Sequence, residues 1–261
     1  MNVDEIVMML TTQRLGRDLR YTAETGSTNR DMAALAQEGA AEGVVVVADR
    51  QSAGRGRMTR EWFSPPGVNL YASVLLRPAV ELGRVSSLTL IAGLAVVKAV
   101  ERLAPEMTPG IKWPNDILCG GRKLCGILCE MHAETDRALH VILGFGMNIN
   151  VTDAMFPEGV RARATSLKIA TGRTFPRGEM LAAVLNIFEP LYVRWCADGL
   201  EPFLPELRQR DALFGREIEM EQGGRRFTGK ADGISPDCAL RLATPQGVAS
   251  IYSGEAHILA F

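Results

Sequence analysis

The stretch D-R-Q-S-A-G-R-G-R-M-T-R-E-W-F-S-P-P-G, residues 49–67, follows directly on a short apolar run, Val44 to Ala48, that reads as a buried strand. The loop after that strand therefore carries Gly54, Arg55, Gly56, Arg57 and Arg60, with Trp62 and Phe63 just behind. Glycines let a backbone turn tightly and approach a ligand closely. Arginines add planar, permanently charged forks that match carboxylate and phosphate oxygens. A loop built this way suits an anionic ligand carrying both a carboxylate and phosphates. A solvated basic turn would explain the Gly-Arg pairs alone equally well, so the neighbouring segments must separate the two readings.

Downstream, I-K-W-P-N-D occupies residues 111–116. Pro114 lacks a backbone donor and forces an extended or turn geometry on Trp113, which rules out a helix. A strand end here presents Lys112, Asn115 and Asp116 at the same rim as the arginine loop. Gly120-Gly121 reads as a hairpin turn and Arg122 to Glu130 as the return strand, with Lys123 near its start and Gly126 inside it. A glycine within a strand marks a bulge or a close ligand approach, whereas a strand-end lysine is ordinarily just solvated. Leu139 to Leu143 is another strand, running into G-F-G-M-N-I-N (144–150). That run lacks the third glycine and the following helix of a dinucleotide fingerprint, and no G-x4-G-K-S/T loop occurs. A nucleotide would have to be held by arginines, lysines and backbone groups.

Upstream, Val3 to Leu15 reads as a short amphipathic helix and Arg20 to Glu24 as a strand. Gly26-Ser27-Thr28-Asn29 then offers helix-capping chemistry with Asp31 in the first turn. Spacing favours a plain cap by Ser27 over hydroxyls aimed at a ligand, although a helix N-terminus can do both. Asn69 to Leu76 is a strand that stops at Pro78, Ser86 to Leu103 a long apolar helix, and Ala164 to Leu167 the start of a short one. Pro176 to Ala197 is a long amphipathic helix ending before Gly199, and Leu200 to Leu213 a helical stretch broken by Pro202 and Pro205. From Phe214 onward period-2 runs (217–221, 226–231, 239–243, 248–252) alternate with Gly-Gly, Ser-Pro-Asp and Pro-Gln-Gly turns. That pattern is a small all-β domain over 214–261, expected as a partly open barrel, after a larger domain over 1–213.

The bulk properties bound these readings. The chain has 261 residues, 47% apolar and 23% charged, which suffices for a full core. Its net charge of −1 offers no global field for nucleic acid, so the loop arginines are a local concentration. The N-terminus carries acidic residues where a signal peptide needs basic ones, and its apolar run is too short to span a bilayer; a cytoplasmic protein with no membrane partner is expected. Five cysteines without secretory context argue against a disulfide framework. Cys119, Cys125 and Cys129 lack zinc-site spacing and read as small buried thiols, so no metal site is expected among them. His132, His140 and His257 lie outside the site motifs.

Taken together, G-S-T-N (26–29), Q-S-A-G-R-G-R (51–57), W-F-S-P-P-G-V-N-L-Y (62–71), K-W-P-N-D (112–116), R-K-L-C-G-I-L-C-E (122–130), G-F-G-M-N-I-N (144–150) and A-T-S-L (164–167) resemble the biotin–protein ligases, also called biotin–[acetyl-CoA-carboxylase] ligases or holocarboxylase synthetases. The resemblance covers nearly the whole chain from about residue 20 onward, and the order and spacing of the motifs make it specific. It implies an α+β fold: a central mixed sheet flanked by helices, like that of class II aminoacyl-tRNA synthetases, followed by a small SH3-like β-barrel. It implies a biotin pocket lined by Ser27, Thr28, Asn29, Gln51, Arg55, Gly56, Arg57, Lys123 and Gly126. ATP or the adenylate would meet Arg57, Arg60, Trp62, Lys112, Asn115, Lys123 and Asn148, and catalysis would rest on Lys123, Arg57, Lys112 and Asp116.

The implied reaction joins biotin to ATP, with Mg²⁺ offsetting the triphosphate charge, and passes the biotinyl group from biotinyl-5′-adenylate to a lysine of a biotin carboxyl carrier domain of acetyl-CoA carboxylase or another biotin-dependent carboxylase. Some relatives have G-R-G-R-R-G-R where this chain has G-R-G-R-M-T-R, so Met58 and Thr59 leave Arg60 less clearly a phosphate contact. Other relatives carry an N-terminal helix-turn-helix domain; with only about 20 residues ahead of the core motifs, no DNA binding is expected here. An exposed sheet edge leaves a homodimer open. A lipoate–protein ligase shares the adenylate chemistry, and a non-catalytic biotin sensor is the reading from another class; Lys112, Lys123 and Asp116 weigh against the sensor.

Overall fold

A computed structural model describes residues 1–134 and 137–259. Its larger sheet is built from β1 (Leu19–Thr25), β2 (Val45–Gln51), β3 (Leu70–Leu76), β4 (Gly110–Lys112), β5 (Asp116–Cys119), β6 (Arg122–Glu134) and β7 (Arg137–Met147). The strand order is β1-β2-β3-β7-β6-β5-β4, with β1 and β2 parallel and every other pair antiparallel. All seven residues of β3 are buried, because the middle of the sheet is covered on both faces. Gly120 and Gly121, both at positive φ, make the expected tight turn between β5 and β6.

The helices follow from the same economy of burial. They are α1 (Val3–Met9), α2 (Thr28–Gln37), α3 (Leu82–Val85), α4 (Leu88–Leu103), α5 (Glu158–Arg161), α6 (Leu167–Thr171), α7 (Arg177–Asp198) and α8 (Leu204–Gln209). On one face of the sheet α2 lays Met32 and Ala36 on Val44, Val46, Leu75 and Ile142. On the other, α4 and α7 pack together over the main core. The segments Leu82–Leu103 and Arg177–Asp198 are long and apolar enough to cross a membrane by length and composition, but much of each is buried inside the molecule. Ser166 caps α6 by accepting the Ile169 N–H at 3.0 Å.

Two helical readings need correction. The N-terminal helix stops at Met9 rather than Leu15. Residues 11–15 are instead held against α7: Asn186 Oδ1 accepts from Thr11, and the Glu189 carboxylate accepts the N–H groups of Gln13, Arg14 and Leu15. Pro202 and Pro205 do not interrupt a helix. They sit in the first turns of a 3₁₀ segment, Glu201–Phe203, and of α8, where an N–H would have no intrahelical partner anyway.

The second sheet contains β8 (Glu217–Gln222), β9 (Arg225–Ile234), β10 (Leu240–Thr244), β11 (Gly247–Ile251) and β12 (His257–Ile258). It is antiparallel in the order β11-β10-β9-β8-β12; the two-residue β12 is too short for any periodicity to announce. Ile218, Met220, Leu240, Leu242 and Ile251 are fully buried and join the main core. Between the sheets, residues 210–212 cover the β4 edge: Ile111 donates to Arg210 O at 2.7 Å and accepts from Ala212 N at 2.9 Å. This leaves β1 as the other edge of the larger sheet.

Asp211 lies inside that junction. One carboxyl oxygen accepts the Leu213 N–H at 2.8 Å, and the other is buried without a partner. Burial pushes its pKa from the ordinary 3.8 up to about 6. The folded chain therefore holds this proton more tightly than the unfolded chain, and the carboxyl's penalty grows as pH rises from about 4 to about 6 and stays complete above that. Asp211→Asn keeps the acceptor for Leu213 and removes the charge. Urea unfolding should find it more stable than the parent by about 1–3 kcal/mol at pH 7.5, with most of that gain gone near pH 4. An equal effect at both pH values would contradict this origin.

Candidate active site

A cleft of about 680 Å³ opens where β6 and β7 meet the loops after β2 and β4. Its floor is set by glycines. Gly126 and Gly146 face each other across the two strands, and Gly144 faces Leu128. A Cβ on Gly146 would stand 2.6 Å from the Trp62 indole. One on Gly144 would stand 2.2 Å from Asn29 Oδ1, and one on Gly126 would crowd both Trp62, at 3.1 Å, and Lys123, at 3.2 Å. The glycine inside β6 thus marks close approach by Trp62 and Lys123, and a bulge falls beside it, where β5 and β6 shift register between Cys125 and Lys123.

The start of α2 supplies one wall. Ser27 is buried and extended and makes no side-chain cap, contrary to the plain-cap reading. Gln51 takes that role from β2, its Oε1 accepting the Thr28 N–H at 2.9 Å, while its amide donates to Ser64 Oγ at 3.0 Å. Ser27 is thereby left lining the cleft with Thr28, Asn29 and Gln51. Asn29 accepts from Ser73 Oγ at 2.6 Å and donates to Glu130 Oε2 at 2.8 Å.

The arginine loop closes over this floor. Gly54 allows the fold-back, since a Cβ there would meet Ser64 Oγ and Trp62 O at 2.6 Å. Gly56 N donates to Arg60 O at 2.7 Å, and Met58 and Thr59 both adopt positive φ, 55° and 61°. A β-branched residue such as Thr59 is strained there by roughly 1–2 kcal/mol. The three arginines diverge. Arg55 pairs with Glu130 at 3.1 Å. Arg57 donates to Asn115 Oδ1 at 2.9 Å and to Gly254 O at 3.3 Å, and Arg60 pairs with Glu255.

Cations gather at the far end. Lys112 and Asp116 are cross-strand neighbours on β4 and β5. Lys123 Nζ lies 2.7 Å from Asp116 Oδ1 and 5.3 Å from the centre of the Trp62 ring, so this strand-end lysine is engaged rather than simply solvated. Burial pushes the Lys112 ammonium down, against the favourable fields of Asp116 and Glu255. Burial likewise pulls Arg57 down. Asn115 is fixed by donating to Ile127 O at 2.9 Å, and Asn148, which is buried, accepts from Asn69 at 3.2 Å. The fold therefore brings together every residue expected at the site, with Ser27, Gln51 and Asn29 at one end of the cleft and Lys112, Asp116 and Lys123 at the other.

Some of its lining was not foreseen. Glu255 and Ala256, just before β12, and His257, on it, line the cleft, although His257 lies outside the site motifs of the sequence. Arg60 holds the Glu255 carboxyl below the usual carboxylate range. Glu130 and Ser73 stand behind the wall through Arg55 and Asn29. In sequence they are one residue each in strand patterns, without a local signal. Cys125 is a buried thiol and Cys129 a half-buried one, the latter pushed up to about 12 by desolvation, which suits packing rather than reactivity.

Known proteins are similar to this chain. Residues 21–148 match the model of the biotin/lipoate A/B protein ligase family, and residues 213–258 match the biotin protein ligase C-terminal domain. The bifunctional ligase/repressor BirA of Bacillus subtilis is 40% identical over 252 residues, covering 96% of this chain and 77% of its own length. The biotin–[acetyl-CoA-carboxylase] ligase of Mycobacterium tuberculosis is 37% identical, covering 87% of this chain and 83% of its own. The solved biotin protein ligase from Aquifex aeolicus, in complex with biotin and ATP, superposes with a TM-score of 0.81 at 31% identity, covering 92% of this chain and 98% of that one.

The glycine floor is testable without any ligand. Gly146→Ala must push Trp62 aside, so it should cost about 1–3 kcal/mol in unfolding and red-shift the tryptophan emission. Gly159→Ala, whose Cβ would meet nothing within 4 Å, should be neutral or stabilising by up to about 1 kcal/mol. An unshifted spectrum in the first variant would show that the indole does not rest on Gly146.

Proposed function

The chain belongs to the biotin/lipoate A/B protein ligase family, and from that premise we infer how its cleft carries out the ATP-dependent attachment of biotin to a lysine of a biotin carboxyl carrier partner. The reaction has two halves. A biotin carboxylate oxygen attacks the α-phosphorus of ATP, the bond to the bridging oxygen breaks, and pyrophosphate leaves with its electron pair. The ε-amine of the acceptor lysine then attacks the acyl carbon of biotinyl-5′-adenylate, loses a proton, and AMP leaves.

The observation that carries the assignment of roles is the cation cluster of Lys123, Lys112 and Arg57 at one end of a glycine-floored slot. Two anionic reactants brought to about 4 Å repel by about 1–4 kcal/mol unless a cation lies between them. We assign that place to Lys123, at the biotin carboxylate and the α-phosphate. Arg57 and Lys112 take the phosphates, and Asp116 holds Lys123 in position. The biotin rings take the end lined by Ser27, Thr28, Asn29 and Gln51, with Gly56 and Gly126 beside them, Trp62 over the tail, and Asn148 toward the adenine. Mg²⁺ enters as part of the Mg–ATP substrate. Asp116 and Asn115 would offer the hard oxygens such an ion takes beside phosphates and water, and their role would be to hold it where phosphate charge needs neutralising.

Chemistry of this kind needs positioning and fixed charge more than a protein nucleophile. The division at residue 214 then has a functional sense: 1–213 would be the ligase domain, and 214–261 would contribute Glu255 and His257 to the nucleotide end. The balanced charge supports a protein acceptor rather than DNA. The reaction would take place in the cytoplasm, and the β1 edge would serve a homodimer.

Biotin-dependent exchange of labelled pyrophosphate into ATP tests the reading. Exchange should require biotin, and lipoate should not replace it; exchange with lipoate alone would move the chain to the sister activity. Lys123→Ala should lower exchange by about 100-fold or more, as loss of a preorganised charge does elsewhere. Tight biotin binding without exchange in the parent would leave a sensor.

A further inference from the structure

Of the three loop arginines, two point toward the end where phosphates would sit. Arg57 reaches Asn115 and the Gly254 carbonyl, and Arg60 reaches Glu255. Arg55 turns the other way, to Glu130 on β6, with Nη2 3.1 Å from Oε1. The second carboxylate oxygen of Glu130 is held at 2.8 Å by the Asn29 amide. Asn29 is itself 4% exposed and fixed from behind by Ser73 Oγ at 2.6 Å, and its oxygen fills the space a Cβ on Gly144 would need. The carboxylate therefore stands on a rigid buried support, while its partner rides on a loop with two glycines and two residues in left-handed backbone.

We propose that Glu130 is a positioning residue that latches the arginine loop shut through Arg55, so that Arg55 governs the residence of biotin by an ion pair with the protein rather than by contact with the biotin carboxylate. This rests on the reading of the cleft as a biotin site. It assigns the arginines separate tasks. Arg57 exchanges the Asn115 and Gly254 oxygens for phosphate oxygens when nucleotide arrives, while Arg60 stays on Glu255. Arg55 has an anionic partner of its own at the biotin end and keeps it, so the loop closes on biotin before ATP binds. The ion pair is partly exposed, so its contribution is moderate and salt-sensitive.

The test is the rate at which preloaded radiolabelled biotin leaves the full chain. Glu130→Gln keeps an oxygen for Asn29 and loses only the charge facing Arg55. It and Arg55→Gln should each speed release about fivefold, and the double variant should be no faster than either single one. Raising salt from about 0.05 M to about 1 M should speed release from the parent and leave Glu130→Gln unchanged. A residue that merely stabilised the fold would lower the melting temperature without this coupling or salt pattern. Release at the parental rate from Glu130→Gln, or an additive effect of about 25-fold in the double variant, would overturn the latch while leaving the ligase reading in place. A parent that takes up no biotin would overturn the ligase reading and the latch with it.

Discussion

Gly126 and Gly146 meet across β6 and β7, and the site depends on neither of them carrying a Cβ. Side chains at those positions would fill the slot from below. Without them, the Trp62 indole can lie flat against two backbones, and Lys123 can bend over the ring toward Asp116. The arrangement has a cost, because glycine in a strand interior gives up packing and backbone entropy. The neighbours offset it. Cys125, Ile127, Phe145 and Met147, on the same two strands, are buried on the opposite side of the sheet, in the core beneath α4 and α7. One face of the hairpin is thus committed to stability and the other to a ligand, and the period of two along each strand keeps the assignments apart.

Charge in the cleft is arranged by the same logic of fixed supports. Lys112, Asp116 and Lys123 sit on strands whose register is set by backbone pairing, so their mutual distances do not depend on a loop. The arginines sit on the loop, and each finds a protein oxygen: Arg55 on β6, Arg57 in the turn between β4 and β5, and Arg60 in the segment just before β12. A cleft that concentrates cations must hold them apart when no phosphate is present. The carboxylates of Asp116 and Glu255 do this, and Lys112 lies in the field of both. Its ammonium is still pulled down by burial, so it gains more from an arriving anion than a solvated lysine would.

Much of this was legible in the sequence. The strands carrying Val45–Ala48 and Leu70–Leu76 announced themselves by apolar content, the Gly120-Gly121 turn by its residues, and the site by types of residue that seldom serve packing alone. The helix ends were harder. Val3 to Leu15 has helical periodicity, but periodicity cannot show that Glu189, about 175 positions away, offers a carboxylate to three backbone N–H groups. The cap of α2 misled for a related reason. Ser27 is the right residue for a cap, yet Gln51 from the neighbouring strand reached the Thr28 N–H. Glu130 and Glu255 were invisible as site residues because their significance lies in partners on other elements. Local propensity is a weak prior wherever a tertiary partner competes for the same backbone group.

The second sheet is the clearest case of a contribution that only the assembled fold reveals. Trp113, inside the K-W-P-N-D turn, is buried and donates its indole N–H to Cys238 O at 3.0 Å, in the turn between β9 and β10. The preceding residue, Lys112, borders the cleft, and from the other side Thr89 on α4 donates to Pro114 O at 2.8 Å. The turn is therefore clamped between the core helix and the second sheet, and Gly254 and Glu255 stand opposite Arg57 and Arg60 as a consequence. A carboxylate at that position would repel a triphosphate if it were bare. Paired with Arg60 it is neutralised at contact distance, and the net positive charge of the end is left to Lys112, Lys123 and Arg57. On the proposed assignment the second sheet would thus set the charge that an incoming nucleotide meets, through Trp113, which ties it to the strand that carries Lys112.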